Sequence, residues 1–222
     1  MTLLVPLYVH PAQDPGAWRL LTEAAAAHRL YGVVLNAADG PGAAPDPAFA
    51  AAARALRAAG TRVLGYIDLD YGVRPDSAVL DDVDRHRDWY DADGCFFDQV
   101  PADASALPGC RRLVRAARQR GAATVVLNPG VHPAPGYARI ADLLVTFEGP
   151  WTAYLSSFTL PRWTARHPPQ RFCHLVYGVP AALAQVAERA AEERGAAVSC
   201  AVADTLPNPW AAPPPALLGE AP

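Results

Sequence analysis

The chain has 222 residues, with 22 acidic and 19 basic side chains and a formal charge of −3. Half of it is hydrophobic, 51%, which suits one domain with a sizeable core. The slightly acidic balance argues against a nucleic-acid binder, and no apolar run reaches the ~18–20 residues of a membrane span.

The start, Met1-Thr2-Leu3-Leu4-Val5, runs directly into an apolar segment without a basic region, a long apolar stretch or a cleavage site. This predicts a cytoplasmic protein, with an extracellular setting as the alternative. Strand-like runs follow at Leu3–Val9, Gly32–Leu35, Arg62–Ile67, Gly94–Phe97, Thr124–Leu127, Leu143–Phe147, Phe172–Tyr177 and Ala197–Ala203. Their near-continuous hydrophobicity suits parallel strands buried on both faces.

Helical patterns alternate with them. Trp18–His28 follows Asp14-Pro15. Pro47–Ala59 follows Asp46, a capping residue with Pro at the first helical position, and stops at Gly60. Ser77–Tyr90 begins on a capping Ser. Cys110–Arg120 and Pro180–Arg194 stop at Gly121 and Gly195. Gly136–Asp142 and Thr152–Phe158 are weaker. Eight such units predict a single α/β domain, a (β/α)8 TIM barrel over residues 1–206, compact and with short loops. An open dinucleotide-binding sheet would want a Gly-rich turn after the first strand, and Val9-His10-Pro11-Ala12 stands there instead. Residues 207–222 are Pro-rich and predicted to be extended or partly disordered, with Trp210 pinning their first part.

Four cysteines, Cys95, Cys110, Cys173 and Cys200, form no C-x-x-C pair and read as reduced core thiols. No cofactor or metal is expected, since no P-loop, G-x-S-x-G or H-E-x-x-H is present.

Catalytic groups of such barrels sit at the C-terminal strand ends. Reading those positions gives Tyr8, His10, Asn36, Asp39, Asp68, Asp70, Tyr71, Asp98, Gln99, Asn128, His132, Glu148, Tyr177 and Asp204. Asp39, His132 and Asp204 read as ordinary loop polars. Asp98, after Cys95-Phe96-Phe97, and Glu148, after Leu144-Val145-Thr146-Phe147, are carboxylates at the ends of apolar runs. Such groups must be paired, hydrogen-bonded or used. The alternative to a catalytic role is a structural hydrogen bond to a neighbouring strand or loop. Two carboxylates on one cleft are the minimal equipment for glycoside hydrolysis. Tyr8, Tyr66, Tyr71, Trp151 and Tyr177 are candidates to stack on sugars. Asp68 and Asp70, two apart on one strand, would face the same side. They read as a solvated rim pair rather than a metal site.

Several segments together resemble the spherulin-4 family, which includes the fungal glycoside hydrolase family 135 enzymes. They are Leu4-Val5-Pro6-Leu7-Tyr8-Val9, Val63-Leu64-Gly65-Tyr66 with Tyr71-Gly72-Val73-Arg74-Pro75, Asp84-Arg85-His86-Arg87-Asp88-Trp89-Tyr90, Asp93-Gly94-Cys95-Phe96-Phe97-Asp98-Gln99-Val100-Pro101, and Phe147-Glu148-Gly149. The resemblance implies a (β/α)8 barrel acting on galactosamine- or N-acetylgalactosamine-containing polysaccharide such as galactosaminogalactan. It makes Asp98 and Glu148 the catalytic carboxylates. Gln99, Tyr8, His10, Asn36, Asp68, Asp70, Tyr71, Asn128 and Tyr177 would be sugar-positioning residues. Gln99 stands where the family carries a second acid beside its Asp, and an amide cannot serve as a general acid. Two readings follow: a glycoside hydrolase, or a carbohydrate-binding barrel that lost its acid. Either would work as a monomer on an oligo- or polysaccharide ligand.

Overall fold

The computed structural model describes residues 2–218. Eight parallel strands close into a barrel in chain order: β1 Thr2–Leu7, β2 Leu30–Leu35, β3 Val63–Asp68, β4 Gly94–Asp98, β5 Thr124–Leu127, β6 Leu143–Pro150, β7 Phe172–Tyr177 and β8 Val198–Ala201. The last strand pairs with the first at Thr2–Val198 and Leu3–Ser199. The helices are α1 Pro15–Ala26, α2 Pro47–Ala58, α3 Asp76–Tyr90, α4 Leu107–Gln119, α5 Trp151–Ser157 and α6 Ala184–Glu193.

Strand periodicity divides the core. Leu4, Val34, Leu64, Tyr66, Phe96, Val126, Leu143 and Val145 pack together inside the barrel. The alternate residues Leu3, Val5, Val33 and Leu35 pack under α1 and α2. Cys95, Phe97, Val125 and Leu144 meet side chains of α3 and α4. Both faces are buried, which is why these strands read as continuous apolar runs. All four cysteines are free and buried.

The local signals explain the helix boundaries. The Asp46 carboxylate accepts from the Ala48 and Phe49 amides and caps α2. Asp14 accepts from Ala17 at the start of α1. Two expectations are corrected. Ser77 does not cap α3; Pro75 holds that position without a side-chain hydrogen bond, and Ser77 lies in the first turn. The expected helix over 136–142 is a 3-10 turn, Pro135–Arg139. Pro133, Pro135 and Gly136 leave too few helix formers there.

Close approach governs β4. A Cβ at Gly94 would stand 2.0 Å from the Thr124 carbonyl oxygen. Only glycine lets the start of β4 lie this tightly against β5.

The chain after Pro207 packs on the barrel. Trp210 and Leu217 are buried, Trp210 against the barrel interior and Leu217 beside α1. The Tyr8 amide donates to the Trp210 carbonyl at 2.7 Å, and Asn208 Nδ2 donates to the Tyr8 carbonyl at 3.2 Å. The pinning expected of Trp210 is thus present. The end of the predicted tail, residues 219–222, lies outside the described residues.

Candidate active site at the barrel mouth

Interior-facing positions repeat every second residue along each strand. Continuing that parity past the apolar layers gives Tyr8 after Leu4, Asn36 after Val34, Asp98 after Phe96, Asn128 after Val126 and Tyr177 after Leu175. These residues line an open cavity of about 780 Å³ at the C-terminal ends of the strands.

Glu148 breaks the parity in an informative way. Counting from Leu143 and Val145, an uninterrupted strand would turn Phe147 inward and Glu148 outward. A bulge intervenes: Val145 pairs with Cys173 while Phe147 pairs with His174, so two residues on β6 span one step of β7. Phe147 therefore joins the outer cluster with Tyr154 and Val179, and Glu148 lines the cavity. Re-aiming a side chain is what a β-bulge does.

Asn128 ties the two carboxylates together. Its Nδ2 donates to Asp98 Oδ1 at 2.6 Å and also to Glu148 Oε2. Its Oδ1 accepts from the Gly130 amide at 3.0 Å. Two acceptors on one side and a backbone donor on the other fix the amide's orientation. Oxygens that share one donor nitrogen are no farther apart than two hydrogen-bond lengths, roughly 6 Å. The Tyr66 hydroxyl donates to Asp98 Oδ2 at 2.9 Å, the backbone N–H of Gln99 also donates to Asp98, and the Trp210 indole N–H donates to Glu148.

This environment perturbs both acids. Burial, and then the charge of Asp98, push Glu148 up to about 7, against the pull of the Asn128 and Trp210 hydrogen bonds. Burial also raises Asp98, opposed by the bonds from Tyr66, the Gln99 backbone N–H and Asn128. Tyr8 is held well above the usual phenol range by burial and by the two carboxylates, so it stays protonated as a donor.

Gln99 and Tyr71 line the cavity from backbone positions with φ of 49° and 50°. Tyr66 and Tyr8 meet edge to face, 5.6 Å between centroids, and Tyr177 meets Trp210 likewise at 6.5 Å. Asp39, read from sequence as an ordinary loop polar, also lines the cavity, together with Asn208 and Trp210.

Three expected sugar-positioning residues are elsewhere. His10 bonds the Asp46 carboxylate at 3.0 Å and accepts from the Ala12 amide; it braces the cap of α2 and does not line the cavity. Asp68 and Asp70 do not lie on one strand, because β3 ends at Asp68 and Asp70 opens a 3-10 turn. Asp68 Oδ1 accepts from the Asp70 amide at 2.7 Å, and neither residue lines the cavity. Trp151 is buried beside Tyr154 and Val176 and does not line the cavity. Among the described residues, no group of three or more His, Cys, Asp or Glu is placed to hold a metal ion.

Comparison with known proteins points one way. The model of spherulation-specific family 4 matches residues 2–211. Spherulin-4 of Physarum polycephalum is 32% identical over 149 residues, 66% of this chain and 44% of the relative. The chain thus spans under half the length of that curated relative. Sph3 of Aspergillus clavatus, solved in complex with GalNAc, superposes with a TM-score of 0.80 at 25% identity, covering 95% of this chain and 92% of its own. A deoxyribose phosphate aldolase from Aeropyrum pernix, at a TM-score of 0.55 and 14% identity over 90% of this chain and 85% of its own, shares the fold alone.

Proposed function

The chain belongs to spherulation-specific family 4, and on that premise we propose that it is a glycoside hydrolase acting on galactosamine- or N-acetylgalactosamine-containing polysaccharide. One observation carries the reading: Asp98 and Glu148 face one cavity and share the Asn128 amide. The GalNAc complex of the similar Sph3 supports an amino sugar as ligand.

The environments divide the labour. Glu148, pushed up to about 7, keeps a proton near neutrality and gives it to the leaving glycosidic oxygen. Burial raises Asp98 too, but three hydrogen bonds oppose that rise and favour its ionised form, and to it we assign the negative charge of the pair. It stabilises the cationic sugar or attacks its anomeric carbon. The bound of roughly 6 Å on the two bridged oxygens lies below the ~6.5–9.5 Å of inverting enzymes and favours the closer, retaining arrangement. Asn128 holds both acids in register, while Tyr8, Asn36, Tyr71, Gln99 and Tyr177 position the sugar.

Charge narrows the substrate. Asp39 and Asp98 line the cavity with Glu148, which adds its charge to theirs once it ionises, and among the described residues no Arg lines it. A field of one sign favours neutral or cationic chains and opposes uronic acids.

Gln99 supports a second reading, a sugar-binding barrel without turnover, because it stands beside Asp98 where the resemblance places an acid. Reducing-end release from α-1,4-linked galactosamine and N-acetylgalactosamine oligomers separates the two. Turnover by the wild-type chain supports hydrolysis. Binding without turnover, with activity appearing only in Gln99→Glu, overturns it in favour of the second reading.

A further inference from the structure

Tyr71 stands between two cavities. One is the catalytic cavity; the other, of about 390 Å³, lies between the turn after β3 and the start of α4. Leu69, Val79, Pro101 and Leu113 give the second cavity an apolar floor, and Ser105 and Arg112 stand on its rim. Taking the glycan reading above as given, we propose that this second cavity is a distal subsite of the polysaccharide groove and that Tyr71 is the platform joining it to the catalytic centre.

The backbone provides an independent argument. Asp70 and Tyr71 have φ of 45° and 50°, and Gln99, whose carbonyl accepts the Tyr71 amide at 2.9 Å, has φ of 49°. None is glycine, and a bulky aromatic in the left-handed region is an outlier. Strain of this kind persists where the surroundings over-determine it, and it clusters at binding and catalytic sites. Nor is the ring holding the core together, because Tyr71 is 64% exposed. The conformation presents an aromatic face at the junction of the two cavities.

The chemistry of the second cavity fits a sugar ring. A pyranose has apolar faces and a hydroxyl edge. The apolar floor and the Tyr71 ring match the faces, and the Arg112 guanidinium and Ser105 hydroxyl match the edge. A chain lying across both cavities would place one part against Asp98 and Glu148 and another beyond Tyr71.

The test is affinity against oligomer length, by titration calorimetry with N-acetylgalactosamine oligomers of rising length, on a Glu148→Gln background so that ligands persist. The expected profile shows a step of about tenfold in affinity, the scale of one aromatic contact, once the oligomer is long enough to pass Tyr71. Ser105→Trp, which fills the second cavity from its exposed rim, removes the step and leaves the shortest oligomers unaffected. Tyr71→Asn also removes the step without lowering the melting temperature, since Asn tolerates the left-handed region. Affinity independent of length, or a step that survives both substitutions, overturns the subsite and leaves the glycan reading standing. No binding of any oligomer overturns both.

Discussion

Replacing Glu148 with Gln should make the protein more stable at alkaline pH while it destroys activity. Burial and the Asp98 charge lift the Glu148 carboxyl from 4.5 to about 7 in the folded state. An acid whose pKa is higher folded than unfolded holds its proton more tightly when folded. Stability is therefore fully present below the unfolded value and declines as pH rises from about 4.5 to about 7. At 1.36 kcal/mol for each pH unit, and discounted for partial exposure, the loss is about 2–3 kcal/mol. Gln is close to isosteric, and its carbonyl can accept from both Asn128 Nδ2 and the Trp210 indole. It never ionises. Urea unfolding of both chains, followed by far-UV circular dichroism, should give similar stabilities near pH 4.5 and an advantage of about 2–3 kcal/mol for the variant at pH 8. A variant equally stable or less stable at pH 8, or a difference that does not change with pH, would refute the claim that a charged Glu148 is strained by its surroundings.

Three further outcomes follow from the same geometry. With Glu148 as the acid, kcat/KM should fall as pH rises beyond about 7. Trp210→Phe, which deletes the indole N–H that favours the ionised form, should move that limb to higher pH, and an unmoved limb in pH–rate profiles would contradict the assignment. Gly94→Ala should cost about 3 kcal/mol or more, because its methyl would collide with the Thr124 carbonyl; an unchanged melting temperature would show that β4 and β5 do not approach so closely. Uronic acid oligomers should bind at least tenfold more weakly than neutral ones of equal length, read by calorimetry, and equal binding would dispose of the electrostatic argument.

The barrel was legible in sequence because its strands are buried on both faces and its helices carry caps. Thr124–Leu127 and Phe172–Tyr177 coincide end for end with the predicted runs. The 3-10 turn after β5 was not: the periodicity over seven residues predicted a helix there, which Pro135 and Gly136 prevent. Asp98 and Asn128 could be found by extending strand parity from Phe96 and Val126. Glu148 was found from its apolar context, although simple parity would have turned it outward; the bulge that turns it in depends on pairing with β7 and leaves no local mark. His10 and Asp68 looked equally eligible from their strand-end positions. Their partners, Asp46 and the Asp70 amide, are settled by loop geometry that strand reading does not capture. Trp210 was read as an anchor for the tail. Its second task, donating to Glu148, required knowing that the C-terminal segment crosses the mouth.

Hydrolysis by this barrel stands or falls on the pair bridged by Asn128. The direct measurement is kcat/KM for hydrolysis of α-1,4-linked N-acetylgalactosamine oligomers by the wild-type chain, Asp98→Asn and Glu148→Gln, with folding of each variant checked by circular dichroism. The expected result is turnover by the wild type and losses of about 10²–10⁴ in each variant. Variants that remain folded and hydrolyse the oligomers at the wild-type rate would contradict it.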